Sequence, residues 1–433
     1  MMLHKRSCWD DEEDERKIRR KAQPKAADLL RSPFFFQRFL EDVRKAGLVG
    51  EKKNALALYI VATSRFRPRP VNALVKGSSS VGKNFIVRTV TDNFLPEKTV
   101  HGVSSMTERS LNFLDKDDIE NSILYFYEVE GSARAAHPNR LLISEGKLVH
   151  WYVASTKWGG KEVREEITGG PVACISTTTE NALKIDDESR HLSLWLDESP
   201  GQTKRIARAY AVDDKEPLTA EMKTVWIEVQ QLIKERKNIP IELPDWFKRL
   251  VDLIPIGDVR IRRYWPAFVE ACKTVCLIRS FRSTKQELEC RGGLTVSFKD
   301  FAIADLIFDR VVAESLSRNA TDEEVWTGDL VERIAEQRGR NLGAGVEATN
   351  LLGEPGITSL DKAYRLLRRA ERAGTVFRSN LPGKNNGKFY LPSAQLGFIG
   401  SPEVVFKRLE MKGGVKFVHP ITGEWVHYGH KVK

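Results

Sequence analysis

Lys76-Gly77-Ser78-Ser79-Ser80-Val81-Gly82-Lys83-Asn84 follows the apolar run Val71-Asn72-Ala73-Leu74-Val75 and precedes Phe85-Ile86-Val87-Arg88-Thr89-Val90. Gly-x-x-x-x-Gly-Lys between a strand and a helix is the pattern of a phosphate-binding loop. Gly77 and Gly82 let the backbone curl so that the N–H groups of Ser78, Ser79, Ser80 and Val81 point inward at phosphate oxygens. Lys83 adds a point charge for the β- and γ-phosphates, and the following helix adds the partial positive charge of its N-terminus. ATP with Mg²⁺ is the expected ligand. Asn84 stands where the pattern calls for a Ser or Thr hydroxyl on Mg²⁺; an amide oxygen also ligates a hard cation, from a longer and differently directed arm. A Gly/Ser-rich turn with a chance lysine is the competing reading, and the strand–loop–helix frame argues against it.

Around this loop the composition is that of a globular chain. The 433 residues, 30% charged and 41% hydrophobic, suit two or three domains with their own cores. No apolar run approaches the ~18–20 residues that span a bilayer, and the N-terminus has no apolar signal segment. No membrane partner is therefore expected. The five cysteines, Cys8, Cys174, Cys272, Cys276 and Cys290, show no zinc spacing, which fits a reducing cytoplasm. Cys272 and Cys276 read as helix packing. A net charge of +10 favours a polyanionic partner.

Short apolar runs at 71–76, 99–104, 123–128, 171–177 and 191–197 alternate with helical stretches, which predicts an α/β fold with a mostly parallel sheet. The expected organisation is a charged arm at 1–28, a helical segment at 29–70, a P-loop core at 71–200 and a helical lid at 201–320. A small helical domain closed by a hairpin follows at 321–400, and a tail hairpin at 401–433.

Ile123-Leu124-Tyr125-Phe126-Tyr127-Glu128-Val129-Glu130 is a strand ending in two carboxylates. A P-loop ATPase needs one acid near Mg²⁺ and a second to polarise the attacking water. Residues i and i+2 share a strand face, so both reach one side. Glu128 is assigned to the metal and Glu130 to the water, with the reverse open; an acidic strand end in solvent competes with both. Val172-Ala173-Cys174-Ile175-Ser176 runs into Thr177-Thr178-Thr179-Glu180-Asn181, where a polar side chain at the strand tip orients water. Thr178 is preferred, with Thr177 and Asn181 as rivals, and a plain turn is the bland reading. Arg190, in Asp186-Asp187-Glu188-Ser189-Arg190, stands where ring-shaped ATPases reach a neighbour's γ-phosphate; a local ion pair with Asp186, Asp187 or Glu188 competes.

Two β-rich runs, Lys147 to Thr156 and Glu162 to Ile167, flank Gly159-Gly160 and predict a hairpin. Lys157, Trp158 and Lys161 at its tip suit backbone phosphates and stacked bases, against a solvated insertion. Near the C-terminus, Leu360, Ala363, Leu367 and Ala370 form an apolar stripe, opposite Lys362, Arg365, Arg369 and Arg372. Helix, strand, the turn Pro382 to Lys388 carrying Lys384 and Lys388, then strand is the plan of a winged helix on duplex DNA. Such modules also dock proteins.

The order of motifs carries a resemblance. Gly47-Leu48-Val49-Gly50-Glu51, Ser64-Arg65, Gly77 to Lys83, Ser144-Glu145-Gly146, Thr177-Thr178-Thr179, Glu188-Ser189-Arg190 and Gln202-Thr203 resemble the primase-helicase replication ATPases of phages and other mobile elements. The resemblance covers roughly residues 29–410 and implies an AAA+-like core, similar to helicases of the minichromosome-maintenance kind, with a pre-sensor hairpin and a C-terminal winged helix. It implies ATP-driven DNA translocation by a homo-oligomeric ring, a hexamer. It puts Lys83, Glu128, Thr178 and Arg190 in phosphate-binding, acidic, sensor and finger roles, and Lys157 and Lys161 on a hairpin facing a single-stranded channel. A sensor-two arginine is expected among Arg260, Arg262 and Arg263. No zinc-finger or primase half stands in the sequence, so the expectation is either a stand-alone motor or one subunit of a split system with a separately encoded primase as partner. Family members end the loop in Gly-Lys-Ser or Gly-Lys-Thr, and Asn84 departs from that. The alternative function is a nucleotide-gated DNA-binding switch or loader with little motor activity.

Overall fold

Residues 8–105, 119–128, 136–155, 161–180, 188–211, 217–254, 259–284, 287–288, 292–317, 322–337, 346–372, 376–379, 389–392 and 399–429 are described by the computed structural model. The first seven strands are β1 (Ala73–Lys76), β2 (Val100–Val103), β3 (Ser122–Phe126), β4 (Lys147–Ser155), β5 (Lys161–Gly169), β6 (Val172–Thr178) and β7 (Leu192–Trp195). Five of them form one sheet in the order β2-β3-β6-β1-β7, and every neighbouring pair is parallel. These are the five apolar runs expected from sequence, so the fold is α/β with a parallel central sheet. β4 and β5 stand apart as an antiparallel ribbon paired from Lys147↔Gly169 to Ser155↔Lys161.

Every residue of β1, β3 and β6 is buried, which a parallel sheet achieves only with both faces covered. Strand parity decides which side chain meets which cover. Leu124 and Phe126 of β3 and Cys174 of β6 cluster with Leu142 of the helix Ala136–Glu145. Tyr125, between the two, turns the other way and reaches the helix that follows the phosphate loop.

Four helices precede β2: α1 (Cys8–Arg31), α2 (Phe35–Lys45), α3 (Lys52–Thr63) and α4 (Lys83–Phe94). α3 is buried from Ala55 to Thr63, as its all-round apolar sequence requires. Trp226, in the helix Ala220–Glu235, is fully buried against Phe35, Phe39, Tyr59 and Phe94, with ring centroids 5.3–5.9 Å away. Edge-to-face contacts of this kind add about 0.5–1.5 kcal/mol each beyond area burial. The indole N–H donates to Asp42 Oδ2 at 3.0 Å.

The chain divides into two compact units: Met1–Leu243 with Val269–Ile303 and Lys416–Val426, and Pro244–Phe268 with Ala304–Val415 and His427–Lys433. In the second, Leu330, Val331 and Ile334 of the helix Asp322–Gln337 pack with Ala363, Leu366, Leu367 and Ala370 of the helix Leu360–Arg372. Leu366 completes the i, i+3, i+4, i+7 stripe, whereas Leu360, at the first helical position, is 39% exposed. Strands Val376–Ser379 and Phe389–Pro392 then pair antiparallel. Among the described residues no helix is long and apolar enough to cross a membrane.

Asp42 gives a pH-dependent check on this core. Burial pushes its carboxyl above the ordinary 3.8, against the opposing pull of the Trp226 bond and Arg38. A raised carboxyl pKa favours the protonated form in the fold, so its contribution is fully present below 3.8 and is lost as pH rises through the folded value. Asp42→Asn keeps an acceptor for Trp226 and removes the charge. Chemical denaturation is expected to find the variant more stable at neutral pH, with the gap closing as pH falls toward 3.8; a gap that does not change with pH would contradict this.

Candidate active site

β1 ends at Lys76, opposite Thr178 of β6 on one side and Trp195 of β7 on the other. Ligands of open α/β sheets bind in the crevice at the carboxyl ends of the strands, and the Gly77–Lys83 segment occupies that position. Gly77 is buried with φ +152°, and a Cβ there would lie 2.7 Å from Val81 Cγ1. Gly82, at φ +100°, caps α4 in a left-handed conformation that glycine adopts without strain. Ser78, Ser79 and Ser80 are exposed between them. Lys83 opens α4, is buried, and donates from Nζ to the carbonyls of Gly77 and Ser78, each at 2.8 Å. The ammonium thus lies inside the loop's curve, within the ring of backbone dipoles.

Asn84 reaches across to the strand tips. Its Oδ1 accepts from the buried Tyr125 hydroxyl at 2.8 Å and lies 3.2 Å from the Thr177 hydroxyl, which also bonds to the Tyr127 carbonyl. Thr177 thus brings a hydroxyl of β6 to the residue that ends the loop. Thr178 is fully buried, and its Oγ1 accepts from Glu180 N at 3.0 Å across the turn. Glu128 lies exposed just beyond β3; Glu130 and the rival Asn181 fall outside the described residues. Arg190 is partly exposed and donates from Nε to Ser144 Oγ at 2.9 Å. Of the acids expected to compete for it, Asp186 and Asp187 lie outside the described residues. Glu188 is buried in an ion pair with Lys76.

Three features have no counterpart in the sequence reading. Glu198 Oε1, beyond β7, accepts from Ser78 N at 2.5 Å, so a carboxylate sits on the first N–H of the phosphate loop. The Lys76–Glu188 pair is buried at the end of β1, with Lys76 Nζ 5.0 Å from the Trp195 ring centroid. Finally, the turn before α3 closes on the segment after β7. Gln202 Nε2 donates to Val49 O at 2.7 Å, and Glu51 accepts from Asp197 N at 2.7 Å. Burial raises the Glu51 carboxyl pKa, while hydrogen bonds from Ser199 lower that of Asp197. Gly47, across from the exposed Phe85 ring, completes this wall. Gly47 to Glu51 and Gln202-Thr203 stood among the motifs of the sequence, but no spacing rule ties them to each other or to the loop.

The expected DNA-contacting residues are spread out. Lys161 is exposed at the start of β5, paired with Ser155, whereas Lys157 and Trp158 fall outside the described residues. In the second unit Lys362 is half-buried, Arg365 exposed, and Arg369 bonded to Glu323 at 2.6 Å. The Arg372 side chain, Lys384 and Lys388 are not among those described. Arg260 donates to Ser315 O at 3.2 Å, and Arg262 and Arg263 are exposed, all three in that same unit.

No protein-family model matches the sequence, and no curated protein matches it significantly. Among solved structures the chain is similar to a candidate ATPase of Cytophaga hutchinsonii, at 12% identity and TM-score 0.38, over 66% of this chain and 88% of that one. It is similar to a full-length MCM homologue of Methanopyrus kandleri at 14% identity and TM-score 0.37, over 71% and 62% of the two chains. The SCCmec type IV Cch helicase is similar at 12% identity and TM-score 0.30, over 83% and 68%.

Proposed function

We propose that the chain is an ATP-hydrolysing AAA+ enzyme of the helicase type, which moves DNA as a head-to-tail ring, a hexamer. Its setting is the replication system of a phage or other mobile element. The observation that carries the reading is the loop: Gly77 and Gly82 in left-handed conformations at the end of a central parallel strand, with the Lys83 ammonium held inside the bend. An ammonium held by two carbonyls is ready to exchange them for β- and γ-phosphate oxygens. The turn at Leu48–Glu51 and Phe85 form a wall suited to the base.

In this reading Glu128 stands on the metal side and Glu130 polarises the attacking water, with the reverse open, and Thr178, or its rivals Thr177 and Asn181, orients that water. Arg190 meets the γ-phosphate of the adjoining subunit. Mg²⁺ fits the donor set, because Asn84 Oδ1 and Thr177 Oγ1 at the loop's end are hard oxygens, and Glu128, just beyond β3, offers a carboxylate. When bound, the ion neutralises charge on the β- and γ-phosphate oxygens. Lys157, Trp158 and Lys161 on the β4–β5 ribbon grip single-stranded DNA. Lys362, Arg365, Arg369 and Arg372, with Lys384 and Lys388 between the strands that follow, bind duplex DNA as a winged helix. A second reading, a nucleotide-gated switch or loader, is favoured by one observation: Asn84 Oδ1 already accepts from the Tyr125 hydroxyl.

Lys83→Ala is expected to abolish ATP binding. Arg190→Ala should leave binding near wild type and lower turnover by about 10³-fold; equal loss of binding in both would argue against a shared site. Single-stranded DNA should stimulate steady-state hydrolysis several-fold in a motor and hardly at all in a switch. Glu198→Gln removes a negative charge from the loop's first N–H, so fluorescent ADP should bind a few-fold more tightly, and weaker binding would count against that role. Arg365→Gln with Arg369→Gln should lower the salt dependence of duplex binding by about two units in the log–log slope. An unchanged slope would remove DNA from that helix.

A further inference from the structure

Ser64-Arg65 is the motif that the nucleotide site leaves unused. Arg65 lies in the short 3₁₀ turn after α3, only 1% exposed. Its Nη1 donates to Ala62 O at 2.7 Å and to Gln230 Oε1 at 2.8 Å, and the guanidinium carbon sits 4.0 Å from the Phe66 ring centroid. Nε is buried with no hydrogen-bond partner, and no carboxylate pairs with the group among the described residues. Burial pulls the guanidinium down to about 9, so it keeps its charge at neutral pH. A buried cation without an acid is the costly half of an ion pair.

Arg65 is among the residues lining a cavity of ≈ 650 Å³ at the amino ends of β2 and β3, the end of the parallel sheet away from the phosphate loop. Small-molecule sites fall in this size range. Four cationic side chains, Arg19, Arg65, Lys98 and Lys234, line it against two acids, Glu97 and Glu120. Arg19 is taken by Glu228 at 2.6 Å and Glu120 faces Lys237 at 3.6 Å. Lys98 and Lys234 make no ion pair among the described residues. Ile18, Phe66 and Ile227 supply an apolar wall.

We propose that this cavity binds a small organic oxyanion, a phosphate monoester or a carboxylate, whose charged end pairs with Arg65 while Lys98 and Lys234 hold it at the mouth. Planar guanidinium donors match both anion types. With Arg65 only 1% exposed, a small anion suits the site better than a polymer. The site is separate from the nucleotide loop.

The test is thermal melting and calorimetry of the full chain carrying Lys83→Ala, which removes phosphate binding at the loop. Inorganic phosphate and citrate are titrated separately, and chloride at equal ionic strength is the control. A saturable rise in melting temperature with either anion is expected, and the stronger of the two identifies the ligand class. Adding Arg65→Met should abolish that rise, while the anion-free melting temperature stays level or increases. No saturable effect of either anion, or an effect that survives Arg65→Met, overturns the proposal. If Arg65→Met does not fold, Lys98→Gln with Lys234→Gln decides: affinity weakened several-fold supports the site, and unchanged affinity overturns it.

Discussion

The candidate site depends on β1 being paired on both sides. Because Lys76 is locked opposite Thr178 and Trp195, the chain leaves the sheet at one fixed point and must reverse within Gly77–Gly82 to enter α4. That reversal puts the loop at the carboxyl edge of the sheet, where the α4 N-terminus adds its partial positive charge. Strand parity then distributes the neighbours. Odd positions of β3 and β6, Tyr125 and Thr177, face α4 and its Asn84. Leu124, Phe126 and Cys174 face the helix Ala136–Glu145, which carries Ser144 and through it Arg190.

The Lys76–Glu188 pair ties this arrangement to the finger candidate. Two charges buried at the end of a central strand are tolerated only as a pair; removing one partner of such a pair costs about 3–5 kcal/mol. Glu188 also lies 3.4 Å from Ser193 Oγ on β7. The segment bearing Arg190 is therefore fastened to the strand that feeds the phosphate loop, two residues from the guanidinium.

Much of the sheet was legible in the sequence because buried parallel strands read as short apolar runs, and each of the five expected runs became a strand. The loop was legible because Gly and Lys at fixed spacing express a backbone requirement. Partners drawn from distant strands were not legible. Choosing between Thr177 and Thr178 requires knowing which face of β6 meets α4, and alternation alone does not say so. Glu198 touches Ser78 across 120 positions, a contact that no local pattern encodes. Leu360 was placed in the apolar stripe by periodicity, but the core of its unit begins one turn later, at Ala363.

Asn84 is where these threads meet. Tyr125 is 2% exposed, and burial pushes its phenol well above the ordinary range, so it acts as a donor at any physiological pH. Its acceptor is Asn84 Oδ1. A Thr or Ser at this position would restore the usual magnesium-binding hydroxyl but is too short to reach Tyr125 in the same way. The phenol would then be buried and unpaired, at a cost of about 1–3 kcal/mol. Asn84, Tyr125 and Thr177 therefore make a unit: the amide that replaces the hydroxyl satisfies a tyrosine that a smaller apolar strand residue would not have required. Reverting position 84 alone exchanges one unmet requirement for another. The departure from the usual loop ending is thus built into β3 as well as into the loop, and restoring the hydroxyl at no cost to the fold calls for a change at Tyr125 in the same step.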